Sequence, residues 1–498
     1  MLPKVVLRAE EAELDEWRLF WTGAGGVPDG SGTGVLERWG DLEERERALK
    51  IRAGQPILID PAGRSDGRLS AVFRHHEFAR KKEGTKETYA PTYRLFFSFL
   101  WQRGLDWDQV TVSDLEDWED WRLRGQENKG RIVGATWARE LAALRLFYDI
   151  AVKLRFLAAS PVLTRSAVTP DGVVEVAELA PSDVRSSNVK WLSPRGFRLW
   201  RDVGLGGMLP GGLESSSWPG RNDGRDVAFA DYVYSSGLRR RETGTLLLSE
   251  LPGVTGRAYY PGWVGKAVAK RAGRFYYVGH HAVQGVDLYR LSAREAAVAR
   301  ARRRGLYEKL AGRLLLREMR QDRTAVWTGP GGRTFCARVD VLTARERMLM
   351  FVEGEGGLEP AMLWLTESGM PMAYKSWTKV FERGSERCAR AGLKVFATPH
   401  MLRHSMALRV LLSLMRALDR RLGLAPQERK RYEEVYGTVW AMVKDLLGHR
   451  SVVTTQEIYL EPVRGLQVET LLNDMDDPVS AELFAELARR TGLVLDAA

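Results

Sequence analysis

The stretch "FATPHMLRHSMALRVLL", residues 396–412, places two histidines and an arginine within five positions of a chain that has seven histidines in 498 residues. His400 and Arg403 are about one helical turn apart, so on a helix they share a face and can grip one ligand. Two readings compete. One is a helix start with a hydrogen-bonded structural histidine; the other is a phosphate-binding catalytic site. The rest of the chain has to decide between them.

Size and charge narrow the field. A chain of 498 residues is expected to form two or three domains, and its 44% hydrophobic and 28% charged residues are those of a folded protein. A net charge of +11 gives a surface field that attracts polyanions, with nucleic acid the first candidate partner. Cys336 and Cys388 are the only cysteines, which excludes a disulfide framework and a thiolate zinc site. The opening "MLPKVVLRAEEAELDEWRL" has no signal-peptide core, and no apolar run reaches transmembrane length, so no membrane partner and a cytoplasmic, DNA-associated location are expected.

The pattern along the chain predicts the organisation. Residues 1–65 are an N-terminal extension of unassigned role, broken by the Gly-rich "TGAGGVPDGSGTG". Residues 66–165 read as a compact helical domain. Its stripe is Leu95, Phe96, Phe99 and Leu100, its second helix has a capping box at Ser113 and Glu116, and its third helix runs up to Ser160–Pro161. The Pro-punctuated residues 166–188 read as an interdomain linker. A second domain spans 189–472, opening with Ser193 as N-cap and Pro194 at the first helical position. Two insertions interrupt it: a Gly/Ser-rich loop at 204–225 and a basic helix at 291–323 with a capping box at Ser292 and Glu295. That helix is either a solvated charged face or a DNA contact. Residues 473–498 end the chain in an amphipathic tail helix with Leu483, Phe484 and Leu487 on one face.

Three further segments join the opening one. "YSSGLRRRETGTLLLSEL" (234–251) is a turn carrying Arg239, then a helix with Glu242. "WVGKAVAKRAGRFYYVG" (263–279) alternates like a β-hairpin and holds Lys266 and Lys270 near its turn. "LLGHRSVVTTQEIYLEP" (446–462) holds His449 and, ten residues on, Tyr459. Together, Arg239, a hairpin lysine, His400, Arg403, His449 and Tyr459 are what phosphodiester transfer without a metal requires. Two guanidiniums neutralise the charge that builds on the non-bridging oxygens. A tyrosine attacks phosphorus and holds the strand covalently. With an unperturbed pKa of about 10 it needs a base, for which His400 suits. A hairpin lysine can protonate the leaving 5′-oxygen, and His449 can donate to the phosphate. The pairs His75–His76 and His280–His281 suggest a metal only superficially, since adjacent positions do not face one another on a helix or strand and no cysteine or acidic cluster joins them. No metal or cofactor is called for.

In order, these phrases resemble those of the tyrosine recombinases, or phage integrases. "SGLRRRE" resembles the family's first box and gives Arg239 and Glu242; "HMLRHS" resembles the second and gives His400, Arg403 and a more structural His404; "LLGHRSVVTTQEIY" resembles the third and gives His449 and the nucleophile Tyr459, with "QEIY" where "QIY" is commoner. Lys266 follows Gly as in the family's "GKG" phrase, but Lys270, nearer the "RAG" turn, is placed ahead of it. Glu242 is expected to orient Arg239 or cap its helix rather than touch DNA. The segment 66–165 resembles the family's core-binding domain, so the resemblance covers roughly residues 66–470. It implies a mainly α fold with a small β-sheet, a SAM-like helical domain and a catalytic domain. It also implies a site-specific recombinase working through a 3′-phosphotyrosine and a Holliday junction on double-stranded DNA. The implied assembly is a homotetramer coupled by C-terminal helix exchange, with an accessory DNA-bending protein as a possible partner. A type IB topoisomerase shares the residue set, and a catalytically inactive DNA-binding accessory protein is the rival from another class.

Overall fold

The computed structural model describes residues 16–23, 44–45, 48–49, 51–128, 130–169, 172–181, 190–218, 220, 222–270, 272–416, 426–449 and 451–465. The chain divides into two compact units, Met1–Arg185 and Ser186–Ala498. It is mainly helical, with a five-stranded sheet and three two-stranded ones among the described residues.

In the first unit, β1 (Arg18–Trp21) and β2 (Pro56–Ile59) pair antiparallel, followed by α1 (Gly67–Arg74), α2 (His76–Ala79), α3 (Glu83–Trp101), α4 (Val112–Leu123), α5 (Gly134–Lys153), β3 (Thr164–Thr169) and β4 (Gly172–Ala177). The helices bury an aromatic-rich core that includes Phe73, Tyr93, Phe97, Trp107, Trp118, Trp137, Phe147 and Tyr148. Phe147 lies at its centre, with ring centroids 5.4 Å from Tyr93, 5.4 Å from Phe97 and 5.3 Å from Trp107. The polar handles of these rings find backbone partners, as buried groups must: Tyr93 Oη donates to the Ala143 carbonyl and Tyr148 Oη to that of Trp107, each at 3.0 Å. A buried ion pair, Arg122 to Glu140 at 2.6 Å, ties α4 to α5.

Several expectations shift here. The capping box of α4 is Thr111 with Asp114 rather than Ser113 with Glu116, because the helix begins two residues earlier than the spacing suggested. The expected linker 166–188 instead contains the antiparallel pair β3 and β4, Val-rich over Val173–Val176, whose Ala177 enters the core. Part of the N-terminal extension also belongs to this unit, since Trp17 and Leu58 are core residues. His75 and His76 do converge, with ring centroids 4.3 Å apart, because His75 sits outside the helix as the N-cap of α2. Their neighbour Glu77 is occupied by Lys153 at 2.6 Å.

The second unit begins with α6 (Pro194–Gly204), capped by Ser193 with Pro194 at its start as the sequence predicts, then α7 (Asp223–Ser236) and α8 (Arg240–Gly244). The hairpin β5 (Tyr259–Val264) and β6 (Arg274–Gly279) follows, pairing Tyr259 with Gly279 through Val264 with Arg274. Its inner face (Tyr260, Val264, Tyr276, Val278) is buried against α7, where the Tyr232 and Tyr276 hydroxyls meet at 2.8 Å. Next, α9 (His280–Tyr289) runs through a π turn into α10 (Glu295–Arg303).

The basic stretch 291–323 is therefore only partly helical. Ser292 is inside a continuous helix, bonding to the Leu288 carbonyl at 2.6 Å, and caps nothing. Arg294 is 4% exposed and donates to the carbonyls of Pro360, Met362 and Leu363, so this charge is internal cement rather than a free face. From Leu314 the chain becomes a sheet: β7 (Leu314–Met319), β8 (Thr324–Thr328), β9 (Thr334–Arg338), then α11 (Ala344–Leu349), β10 (Met350–Gly354) and β11 (Gly357–Pro360). The strand order is β11-β10-β7-β8-β9, and β10 runs parallel to β7.

The remaining helices are α12 (Trp377–Arg390), α13 (Pro399–Arg416), α14 (Pro426–Tyr436), α15 (Val439–Leu447) and α16 (Val452–Gly465). Phe229 of α7 stacks on Trp377 of α12 at 3.5 Å. At the α6–α12 contact, a Cβ on Gly204 would meet the Gly384 carbonyl at 2.8 Å, so two glycines let these backbones touch. The Gly/Ser-rich 204–225 loop is packed too: Trp218 lies against Gly207 and under the Arg387 guanidinium. Ala407, Leu408, Leu411, Val443, Leu447 and Tyr459 form a small separate core joining α13, α15 and α16. The expected tail helix at 473–498 lies outside the described residues. No helix among the described residues is long and apolar enough to cross a membrane.

Phe147→Ala would lower the stability of the first unit by about 3–5 kcal/mol, the usual cost of emptying a buried aromatic site. Urea unfolding followed by tryptophan fluorescence reads this directly. A loss below about 1 kcal/mol would show that the cluster is not the core of that unit.

Candidate active site

The C-terminal ends of α7 and α15, the N-terminal ends of α8 and α13, the strand β6 and helix α16 converge on the site. Helix α7 ends at Gly237, whose φ of +64° and whose closeness to the Met406 side chain (2.7 Å from where a Cβ would lie) leave room for glycine alone. The turn that follows presents Arg239 as the N-cap of α8, with its side chain 21% exposed. Three residues on, Glu242 accepts from the Arg239 backbone N–H at 2.8 Å and from Arg239 Nη1 at 3.0 Å. Glu242 thus holds both the backbone and the side chain of Arg239.

Glu242 has a second partner, to which no sequence motif points. Arg274, the first residue of β6, donates through Nη1 to Oε1 at 2.9 Å and through Nη2 to Oε2 at 2.7 Å. Its Nε reaches the Leu446 carbonyl at 3.1 Å. Burial alone would raise the pKa of Glu242. The Arg274 hydrogen bonds and charge, then Arg403 and Arg239, outweigh that and hold it at about 2.

Helix α13 starts at Pro399, with the Thr398 hydroxyl accepting from the Met401 N–H at 3.2 Å. Its first turns carry His400, Arg403 and His404. Arg403 is 1% exposed and is gripped by two helix C-terminal ends, with Nη1 donating to the Gly237 carbonyl at 2.5 Å and Nη2 to the Leu447 carbonyl. Burial, followed by the Arg239 charge, lowers its pKa to about 9.

The histidine roles differ from the sequence expectation. His404, not His400, meets the Tyr459 hydroxyl, with Nδ1 to Oη at 2.8 Å. The reason is the geometry of α13: His404 lies one turn further along the same face as His400, at the depth where α16 packs, and the two imidazole centroids are 4.3 Å apart. His404 is 9% exposed, and burial first, then the neighbouring His400, Arg403 and His449, pushes its pKa down to about 3. His400 keeps an exposed edge; desolvation first, then the charges of Arg403, Arg239 and Lys270, lowers it to about 4.

Helix α15 closes on Gly448 (φ +62°), which hands the chain to His449. His449 Nδ1 lies 3.0 Å from Thr455 Oγ1, and its ring is parallel to that of Tyr459 at 6.2 Å. Tyr459 is 0% exposed; burial raises its hydroxyl to about 12 against the opposing pull of Arg403 and Arg239. Lys266 and Lys270 are both exposed in the β5–β6 loop, and Lys270 is the one whose charge acts on His400. The structure thus brings Arg239, Glu242, His400, Arg403, His404, His449 and Tyr459 together, adds Arg274, and leaves the lysines on a loop at the margin. Arg274 could have been suspected from its place in the strand that returns from the lysine loop, but no short-range spacing links it to Glu242.

The sequence profile described as "Phage integrase, N-terminal SAM-like domain" matches residues 73–154, which fall within α1 to α5 and the start of the turn after it. No curated protein matches significantly. Among solved structures, the chain is similar to the XerH site-specific recombinase bound to palindromic difH substrate, at 12% identity over 82% of this chain and 84% of that one, with a TM-score of 0.42. It is also similar to the Tn1549 transposon integrase in complex with circular intermediate DNA (13%; 79% and 94%; 0.41) and to a lambda integrase dimer bound to a core site (12%; 85% and 95%; 0.37). With an integrase-type helical domain matched in its first unit and the three ordered boxes gathered round one tyrosine in its second, the chain is recognised as similar to the tyrosine recombinases, or phage integrases.

Proposed function

We propose that the protein is a site-specific DNA recombinase that cuts and rejoins strands through Tyr459. The observation that carries this reading is the Tyr459–His404 hydrogen bond of 2.8 Å, set beside the guanidiniums of Arg239 and Arg403. The buried imidazole of His404 is neutral and holds the Tyr459 hydroxyl at Nδ1, and the negative charge of a phosphate bound beside it raises its basicity so that it can take the phenolic proton. Tyr459 Oη then bonds to phosphorus, the P–O5′ bond breaks, and the 5′-oxygen takes a proton, for which Lys270 is the candidate donor. A 3′-phosphotyrosine and a free 5′-hydroxyl result. Arg239, with Arg403 behind it, neutralises the non-bridging oxygens, and His400 and His449 donate to them. The 5′-hydroxyl of a partner duplex reverses the chemistry, giving strand exchange through a Holliday junction.

Tyr459 has no exposed surface and both Arg403 Nη atoms are on carbonyls, so attack requires α16 to shift outward when DNA occupies the site. A partner duplex with a specific site, a homotetramer on DNA and an accessory bending protein complete the proposal.

A nicked suicide duplex, incubated with the protein in EDTA and run on a denaturing gel, tests it. Wild type should give a protein–DNA adduct, and Tyr459→Phe none. His404→Gln should slow its formation by about 10²–10⁴-fold, the range for general acid–base groups. An adduct that survives Tyr459→Phe would move the nucleophile elsewhere, and relaxation of any plasmid regardless of sequence would favour the topoisomerase.

The same histidine predicts a stability effect. The folded pKa of His404 (about 3) lies below the ordinary value of about 6.5, so below pH 6.5 the unfolded chain takes up a proton that the folded chain refuses. Its contribution is fully present above that pH and lost as pH falls towards 3, by up to about 1.4 kcal/mol per pH unit. Chemical denaturation at pH 7 and pH 5 should show a smaller pH dependence in His404→Gln; an identical dependence would mean that His404 titrates in the fold as it does in the unfolded chain.

A further inference from the structure

We propose that Arg274 is a positioning residue for the reaction proposed above, on which this inference rests: it leaves Arg239 free to meet a phosphate and fixes the turn that carries His449. The Arg274 side chain is 9% exposed, and all three of its nitrogens are engaged, two on Glu242 and one on the Leu446 carbonyl. It therefore cannot itself be the phosphate ligand without giving up these bonds. Its effect has to pass through its neighbours.

Consider the charges first. Each Glu242 oxygen accepts two hydrogen bonds: Oε1 from Arg239 Nη1 and Arg274 Nη1, Oε2 from the Arg239 backbone N–H and Arg274 Nη2. One buried carboxylate is shared between two guanidiniums, so the Arg239–Arg274–Glu242 group keeps a net positive charge. Remove the Arg274 fork, and Glu242, with no exposed side-chain surface, has Arg239 as its closest compensating cation. A buried unpaired carboxylate is costly, and Arg239 would be drawn inward to compensate it. The accessible cation of the site would then be spent on Glu242 instead of on substrate.

Geometry supplies the second half. A Cβ on Gly448 would lie 2.9 Å from Arg274 Cδ, so the side-chain stem of Arg274 fills the space that this glycine leaves open, immediately before His449. With Nε on the Leu446 carbonyl, one side chain joins β6, the N-terminal end of α8 and the C-terminal end of α15. Lysine could match the charge but not the fork plus the third donor. Arg274→Lys and Arg274→Ala therefore separate the two contributions.

The full-length chain and both variants are compared in three measurements: duplex affinity by anisotropy, single-turnover adduct formation on the nicked suicide duplex, and amide hydrogen exchange by mass spectrometry over residues 444–451. Arg274→Ala should keep duplex affinity within about 3-fold while adduct formation falls about 100-fold, the scale of losing one preorganised donor. Arg274→Lys should recover part of that rate, because Glu242 is again compensated. Exchange over 444–451 should speed up in both, since neither keeps the Leu446 bond. Wild-type cleavage by Arg274→Ala, equal losses in the two variants, or unchanged exchange would each overturn the inference. If wild type forms no adduct on any DNA, the recombinase reading fails, and exchange alone then decides whether Arg274 ties the turn. Should Arg274→Ala not fold by circular dichroism, the lysine variant carries the same comparison.

Discussion

Everything at the site depends on one carboxylate with no exposed side-chain surface. Arg239, Arg274 and Arg403 all act electrostatically on Glu242, and guanidiniums packed this closely repel one another unless an anion lies between them. Glu242 is that anion, and its depressed pKa of about 2 records how strongly the cations hold it ionised. The carboxylate also fixes where its partners come from: the N-cap of a helix and the first residue of a strand, two elements that share no local sequence. The fold of the hairpin and the electrostatics of the site are thus one problem with one solution.

Arg403 is handled differently. It has a full charge at 1% exposure, and its partners are backbone carbonyls at the ends of α7 and α15. Both helices close on a glycine in the left-handed conformation, Gly237 and Gly448. The last carbonyls of a helix have no partner within it, and they sit at the negative end of its dipole. Two such ends aimed at one guanidinium satisfy its hydrogen bonds and oppose the cost of burying it, which explains how a second cation can stand behind Arg239.

The helical domain and the boxes were legible because their signals are local. Three-to-four-residue apolar spacing marks α3 to α5, and Arg239–Glu242 and His400–Arg403 are each within a single turn. What failed was non-local. His404 and Tyr459 are 55 positions apart, so which histidine meets the hydroxyl depends on how α16 packs on α13, not on any spacing. Arg274 and Glu242 are 32 apart and joined only by the hairpin's register. The basic stretch at 291–323 misled because its arginines resemble a solvated helix face, while Arg294 and Arg302 in fact serve carbonyls some 55–70 residues ahead. The β3–β4 pair is masked by its proline and serine neighbours, although its valines and threonines favour strand.

The five-stranded sheet has a kinetic consequence. It enters after α10 and leaves through Ala361–Leu365, where Leu363 and Trp364 join the main core: Leu363 donates its N–H to the Leu246 carbonyl at 2.9 Å and Trp364 Nε1 to that of Thr243 at 2.8 Å. The parallel pairing of β10 with β7 must close a long loop before that segment is delivered. Pairings of this kind are slow to form, and a chain waiting for them exposes strand edges meanwhile. The sheet thus adds long-range pairings to the folding of a core whose Trp364 buttresses the turn bearing Arg239 and Glu242.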